Sequence, residues 1–295
     1  MGSSRAGVLA TLALALLAGG CGEESSSDSA NRPPERIVSL SPSATETLFA
    51  VGAGEQVIAV DGESDYPPDA PKTDLSAYQP NVEAIAGYRP DLVVLPSIVP
   101  RDVKSGLRRL GLTVLAQPAP DDLGDAYRQI RQLGQVSGHA AAGRRVASEV
   151  RSKVERLIAK APEGRSLSVF HELDPDLFSA SSDTFIGRIY ERLGLRNVAD
   201  AAARRAANPY PQLSSETVVS ADPDLIVLAD SQCCAQTPAK VSRRPGWHAV
   251  AAVRREAIVA IDEAVASRWG PRIPLFVARA VDAMELALGR PDSGR

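Results

Sequence analysis

The sequence contains few of the residues that metal and nucleic-acid sites require. Its 295 residues include 3 histidines and 3 cysteines, and aromatic residues make up 4% of the chain. His139 and His248 lie in segments unrelated to His171, so a histidine-rich site for a free metal ion is not expected. The formal net charge of -3 provides no basic surface for nucleic acid.

The sequence also lacks the motifs of common enzyme classes. There is no glycine-rich phosphate loop and no nucleophile elbow, and His171 has no serine or cysteine partner at an interpretable spacing. A hydrolase would need a catalytic triad, which these residues do not provide. We therefore expect a protein that is not an enzyme and that holds no resident metal or cofactor.

The N-terminus predicts export. Arg5 precedes an apolar run over residues 6–18, and small residues then lead to Cys21. The run is shorter than the ~20 residues needed to span a bilayer, which favours a signal peptide over residues 1–20. Residues 21–34 are mostly polar and predict a flexible tether.

The segment around Cys21 resembles a bacterial lipoprotein box, in which the cysteine is acylated and becomes the first residue of the mature protein. The resemblance implies that Cys21 is a lipid anchor at the outer face of the cell membrane. Ordinary cleavage, which would give a soluble secreted or periplasmic protein, is the alternative.

An internal repeat predicts two lobes. Residues 83–95 and 216–228 share a glutamate, a Pro-Asp-Leu triplet and a Val-Leu pair at a single offset. Each copy predicts a short helix that carries the glutamate near its start, a proline break and a buried strand. Because the two copies lie so far apart in the chain, they indicate two equivalent lobes and not a solenoid.

The segments around the repeat complete the predicted fold. Residues 36–40 and 166–170 read as strands, each followed by a capped helix, which favours mostly parallel sheets. Apolar residues at helical spacing, including Val146, Val150 and Val154, predict one long helix over 138–161. We therefore predict an α/β fold with an N-terminal lobe over 35–137, a C-terminal lobe over 162–295 and a backbone helix between them.

Five short motifs in this order resemble the periplasmic iron-siderophore and cobalamin receptors of ABC importers, and cobalamin-binding proteins are the nearest pattern. The resemblance covers about residues 35–290. The motifs are RIVSLSPSATE at 36–46, SDYPP at 64–68, PDLVV at 90–94, PQLSSE at 211–216 and SRWGPR at 267–272. The resemblance implies a monomeric receptor that captures a metal chelate between its lobes. It would then deliver the chelate to a permease dimer with its ATPase. Corrinoids, ferric siderophores and haem remain open as ligands.

The ligand of such lobes is expected at the carboxyl ends of the strands. His171 and Glu172 are adjacent, so they cannot both face the ligand if the strand continues through them. The resemblance singles out Tyr78, Phe178 and Arg268. The full set of candidate ligand-binding residues is Glu63, Tyr66, Tyr78, His171, Glu172, Phe178, Arg268 and Trp269.

The two repeat glutamates are candidates for a second function. The resemblance implies that Glu83 and Glu216, one on each lobe, dock the receptor onto arginines of the permease. The alternative is that each carboxylate supports the positive N-terminal turn of its own helix.

The vicinal pair Cys233 and Cys234 allows three interpretations: a disulfide, a thiol pair for a soft metal, or two unbonded small residues. A structural role in a cleft loop is favoured. For the whole protein, the alternatives to an importer receptor are a membrane-tethered module that binds protein or polymer, and a chelate hydrolase.

Overall fold

The computed structural model describes residue 1 and residues 32–162 and 167–289. The predicted signal peptide, Cys21 and the tether up to residue 31 lie outside the described residues. Within the described ranges, no helix combines the length and the apolar character needed to cross a membrane.

The first lobe is a parallel four-stranded sheet in the order β2-β1-β3-β4, flanked by helices. Its strands are β1 (Ile37–Ser39), β2 (Val57–Val60), β3 (Leu92–Pro96) and β4 (Thr113–Gln117). Its helices are α1 (Pro42–Ala50), α2 (Val82–Gly87), α3 (Arg101–Arg109) and α4 (Leu123–Val136). The central strands β1 and β3 are buried almost throughout, as expected for a parallel sheet covered on both faces.

A single long helix, α5 (Ala140–Lys160), follows the first lobe. At 1.5 Å per residue it is roughly 32 Å long. Its apolar stripe, which includes Val146, Val150 and Val154, is buried against neighbouring helices, while its charged face is exposed. The helix begins just after Gly138, whose positive φ of 83° ends the preceding turn.

The second lobe has the same sheet plan, with parallel strands in the order β6-β5-β7-β8. Its strands are β5 (Ser168–Glu172), β6 (Arg196–Asn197), β7 (Leu225–Leu228) and β8 (Ile258–Ala260). Its helices are α6 (Phe185–Arg192), α7 (Asp200–Ala206), α8 (Ser215–Ala221), α9 (Pro238–Ser242), α10 (Ala251–Arg254), α11 (Glu263–Ser267) and α12 (Ile273–Ala287). The fold class predicted from the sequence is confirmed.

The internal repeat has a structural explanation in the turn before each central strand. Arg89 and Asp222 occupy the same place in the two copies, and both have a left-handed backbone with φ of 51° and 44°. The aspartate that follows accepts hydrogen bonds at the start of the neighbouring strand: Asp91 from the Arg36 N–H and Asp224 from the Ser168 N–H, each at 2.9 Å. The aspartate in each copy of the repeat therefore links the central strand to its neighbour, β3 to β1 and β7 to β5.

One buried apolar cluster runs through both lobes. It includes Ile37 and Leu48 of the first lobe, Val150 of α5, and Val169 and Phe276 of the second lobe. Since α4 of the first lobe and α12 of the second lobe both pack on α5, the two lobes share this core around the backbone helix. The arrangement fixes the carboxyl edges of the two sheets relative to each other.

Candidate ligand cleft

A cleft of about 430 Å³ lies between the carboxyl edges of the two sheets. Its lining comes from the segments that follow β1, β2 and β3 in the first lobe, and β7 and β8 in the second. The lining mixes the apolar side chains of Leu40, Ile98 and Trp269 with hydroxyl and carboxylate groups. This volume falls within the usual range for small-molecule sites.

The first lobe supplies hydroxyl groups held by a buried network. Ser41 caps α1, where its Oγ accepts the Ala44 N–H at 3.5 Å. Behind it, the Ser64 hydroxyl donates to Asp61 at 2.6 Å and lies 3.0 Å from the Thr45 hydroxyl. Burial raises the pKa of Asp61, although the hydrogen bond from Ser64 counteracts this shift. The network fixes the loop after β2 against the start of α1.

The second lobe supplies the loop after β8. Asp262 caps α11 by accepting the Ala264 N–H at 2.8 Å, and its other oxygen accepts the Gln232 amide at 2.9 Å. Beyond α11, Trp269 is half-buried and its ring meets Phe185 edge-on at 6.5 Å. The Trp269 backbone N–H donates to the Ser43 hydroxyl at 3.3 Å, which joins the two sides of the cleft.

An ion-pair cluster, which we call the inter-lobe cluster, joins the segment after α11 to the first lobe. It consists of Glu46, Asp65, Arg268 and Arg272. Arg268 donates to Glu46 at 3.2 Å and to Asp65 at 2.6 Å, while Arg272 donates to Glu46 at 2.5 and 3.0 Å. The Glu46 side chain is only 1% exposed. Burial acts to raise the pKa of Asp65, but the hydrogen bond and charge of Arg268 outweigh it and the pKa is lowered.

Four of the eight residues nominated from the sequence line the cleft: Glu63, Tyr78, Arg268 and Trp269. Tyr78 is 78% exposed, so its ring is available to a ligand. Tyr66 lies beside the cleft with the Arg272 guanidinium 4.3 Å above its ring. Phe178 is half-buried, pairs with Gln212 through a backbone bridge and is not part of the lining.

The structure corrects the expectation for His171 and Glu172, which lie inside the second lobe. Strand β5 continues through both residues, so their side chains enter the two packed layers on either side of the sheet. His171 Nδ1 lies 2.7 Å from the Tyr190 hydroxyl, and burial lowers the pKa of His171 to about 3. The Glu172 carboxylate forms two 2.6 Å hydrogen bonds with Arg244. Neither side chain lines the cleft.

Several acidic residues of the cleft were missed by sequence reasoning. These are Asp61, Asp65, Asp262 and Glu263. Asp61 and Asp65 lie in the same loop after β2 as the nominated Glu63 and Tyr66, and Asp262 and Glu263 lie just after β8. Strand β8 was not predicted, and the loop that follows it was therefore not considered.

The vicinal cysteines form a disulfide, Cys233–Cys234, in the loop after β7. Gln232, immediately before the pair, lines the cleft. Asp230, at the start of this loop, is buried, and its carboxylate lies beside that of Glu172. Burial first, and the neighbouring charge of Glu172 second, raise the pKa of Asp230 to about 7.

The repeat glutamates occupy equivalent positions in the two lobes. Glu83 follows the capping residue Asn81 of α2 by two positions, and Glu216 follows the capping residue Ser214 of α8 by two positions. Both side chains are exposed, and neither forms an ion pair with another described residue. Each helix leads back into a parallel strand, which directs its N-terminus toward the cleft edge. Hydrogen bonds from its own backbone and from Ser214 lower the pKa of Glu216.

Two matched lobes that face each other across one cleft define a two-lobed binding protein. Within residues 32–162 and 167–289, no group of three or more histidine, cysteine or acidic residues is arranged to hold a metal ion. The cleft therefore offers shape, hydroxyl groups and carboxylates to a ligand.

Comparison with known proteins agrees with this class. The periplasmic binding protein family matches residues 37–265. A cobalamin-binding protein of Halobacterium salinarum is 35% identical over 67% of this chain, and the chain spans 54% of that protein's length. A vitamin B12-binding protein of Pectobacterium carotovorum is 31% identical, with 86% of this chain and 90% of that protein covered. The chain belongs to the periplasmic binding protein family.

Two further similarities concern the transport context and the fold. An uncharacterized ABC transporter substrate-binding lipoprotein of Bacillus subtilis, YvrC, is 29% identical over 82% of this chain and 77% of its own. The crystal structure of the periplasmic vitamin B12 binding protein BtuF of Vibrio cholerae superposes with a TM-score of 0.74 and 25% identity. That match covers 88% of this chain and 99% of the other.

Proposed function

We propose that this protein is the solute receptor of an ABC importer and that it captures a metal chelate in the cleft between its lobes. The observation that carries the proposal is the cleft itself, which is built from the carboxyl strand ends of two lobes with the same topology. The names of the relatives favour a corrinoid as the ligand. A ferric siderophore is the second candidate, and the protein carries out no covalent chemistry on either.

We further propose which residues contact the ligand. Tyr78 and Trp269 offer flat rings from opposite lobes, and Glu63 offers a carboxylate. Arg268 lines the same cleft, but its hydrogen bonds to Glu46 and Asp65 make it a link between the lobes. Its contribution to the ligand would be to hold the cleft open at a fixed width.

Delivery to a permease is assigned to Glu83 and Glu216. Two exposed carboxylates on equivalent helices, both directed toward the cleft edge, would orient the cleft over a basic permease surface. Such paired charges act more on orientation and association rate than on affinity. The alternative role, stabilisation of the helix N-terminus, applies in part to Glu216, because its carboxylate accepts hydrogen bonds from the first residues of α8 and its cap.

Ligand capture is tested by a thermal-shift panel on the mature domain with cobalamin, cobinamide, haemin and ferric siderophores. A ligand present at a hundred times its dissociation constant adds about 2.7 kcal/mol to the free energy of unfolding, which raises the melting temperature. A panel in which no chelate shifts the melting temperature would contradict the proposal and favour a tethered module that binds protein or polymer.

Docking is tested by reversing both glutamates. The double variant Glu83→Arg/Glu216→Arg should bind its ligand normally and lose uptake in cells. The matched control is Glu55→Arg/Glu256→Arg, which reverses one exposed glutamate on each lobe ahead of β2 and β8, at the opposite sheet edges. Normal uptake by the first variant, or an equal loss in both, would argue against docking.

We also propose that Cys21 is acylated and holds the receptor at the outer face of the cell membrane. Cys21→Ser should release the protein into the soluble exported fraction and remove the lipid mass from the mature N-terminus. An unchanged mass and a soluble wild-type protein would instead support ordinary cleavage. Adjacent genes for a permease and an ATPase would support the transport role.

A further inference from the structure

The charged side chains of the cleft carry an excess of negative charge. The one basic residue in the described lining is Arg268. The acidic residues of the same lining are Asp61, Glu63, Asp65, Asp262 and Glu263. The whole chain has a formal net charge of only -3, so this local excess is a property of the cleft.

The positive charge of Arg268 is already neutralised. Its guanidinium donates to the carboxylates of Glu46 and Asp65 and to the Glu63 carbonyl, and its side chain is only 11% exposed. Arg272, the other guanidinium of the inter-lobe cluster, is also bound to Glu46. Two carboxylates therefore balance two guanidiniums, and the cluster has no free cation for an anionic ligand.

Two of the remaining carboxylates face the cleft without partners. Glu63 and Glu263 are exposed, lie on opposite lobes, and make no side-chain ion pair or hydrogen bond with a described residue. The carboxylates of Asp61 and Asp262 are instead engaged with Ser64 and with the start of α11. These two glutamates are the acceptors that a bound ligand would meet from both sides.

Two basic side chains lie near the cleft without belonging to its lining. Lys72 is exposed and close enough to Asp65 to contribute to lowering its pKa. Lys104 of α3 donates to the Ser97 carbonyl at 3.1 Å, next to the lining residue Ile98, but Lys104 is not itself part of the lining. An anionic chelate in the cleft would therefore lie between unpaired carboxylates, without a free cation in the described lining to offset them.

We propose that the cleft selects metal chelates whose outer surface is neutral or cationic and rich in N–H donors, and that Glu63 and Glu263 set this preference. The inference rests on the proposed function and names its substrate class. A carboxylate accepts hydrogen bonds from amide and ammonium groups, whereas it repels the carboxylate or catecholate edges of an anionic chelate. Chelates with peripheral amides, such as corrinoids, meet this requirement.

A matched pair of corrinoids tests the preference directly. Dicyanocobinamide carries amide side chains around its ring, and dicyanocobyrinic acid carries carboxylates at the same positions. In calorimetric titration of the wild-type mature domain, we expect cobinamide to bind at least about tenfold more tightly. Ferrioxamine B, which has a cationic tail, and anionic ferric enterobactin provide the same comparison for ferric chelates.

The variant Glu63→Gln/Glu263→Gln should reduce the ratio of the two corrinoid affinities, because it removes charge and retains shape. The matched control, Glu55→Gln/Glu256→Gln, removes the same net charge at the opposite sheet edges and should leave the ratio unchanged. Since all four side chains are exposed, none of these changes disturbs the core.

The outcomes separate this inference from the proposed function. If the anionic member of a pair binds as tightly as its partner, or if the cleft and control variants change the ratio equally, the charge preference is refuted while chelate capture stands. If none of the four chelates, and none of the chelates in the thermal-shift panel, binds the wild-type domain, chelate capture fails and the preference fails with it.

Discussion

Removing the charge of Glu46 should destabilise the fold far more than removing the charge of its neighbour Asp65. Glu46 lies in α1 of the first lobe and binds Arg268 and Arg272, which are 222 and 226 residues further along the chain. Its side chain is 1% exposed, whereas that of Asp65, which binds the same Arg268, is 53% exposed. The variants Glu46→Gln and Asp65→Asn each replace an acid by the amide of the same shape.

The expected magnitudes follow from burial. Breaking a buried ion pair by removing one partner costs about 3–5 kcal/mol, because it leaves the other charge buried without compensation. In Glu46→Gln, Arg272 loses its only carboxylate partner among the described residues, and its side chain is 15% exposed. An exposed pair contributes roughly 0–1 kcal/mol, which sets the expected loss for Asp65→Asn. The first loss is a large part of a typical stability of about 5–15 kcal/mol.

Urea unfolding of the mature domain, followed by circular dichroism, measures both losses. A double-mutant cycle with Arg272→Met separates the pair from the general cost of each substitution. We expect Glu46→Gln/Arg272→Met to lose less stability than the sum of the single variants, because neither charge is then left unpaired. If Glu46→Gln costs no more than Asp65→Asn, or if the cycle is additive, the inter-lobe cluster is not what stabilises the approach of the two lobes.

Three further changes test buried groups, each by urea unfolding. Because burial lowers the pKa of His171 from 6.5 to about 3, protonation favours the unfolded chain between these values, and His171→Phe should reduce the loss of stability as pH falls through that range. The pKa of Asp230 is raised from 3.8 to about 7, so the wild type loses stability as pH rises through this range, and Asp230→Asn should gain relative to it. Gly134→Ala should cost roughly 1–3 kcal/mol, because a Cβ there would lie 2.6 Å from the Gly143 Cα between α4 and α5; Gly62→Ala, with open space around it, should cost much less. Each argument has a contradicting result. The histidine argument fails if the difference in free energy of unfolding between His171→Phe and wild type does not change with pH, and the aspartate argument fails if Asp230→Asn shows no pH-dependent gain. The glycine argument fails if the two glycine variants lose equal stability.

The architecture could be predicted because its signals are local. Buried branched strands, the proline breaks after Glu83 and Glu216, and the helical spacing around Val150 are each set by near neighbours in the chain. The repeat then implied two equivalent lobes, and the two sheets have the same strand order. The short strand β8 was not predicted, although residues 257–261 form an apolar run, and the cleft residues that follow it, Asp262 and Glu263, were missed for this reason.

Only the tertiary structure decided which polar side chains are buried or paired and which remain exposed in the cleft. From the sequence, Arg268, His171 and Glu172 were all candidate ligand-binding residues. The structure pairs Arg268 with Glu46 and buries the other two within the second lobe. The physical reason is that a charge is neutralised, or a strand end covered, by groups that are distant in the chain. The sequence alone therefore determined two lobes and a cleft, and long-range contacts decided which side chains remain available to a ligand.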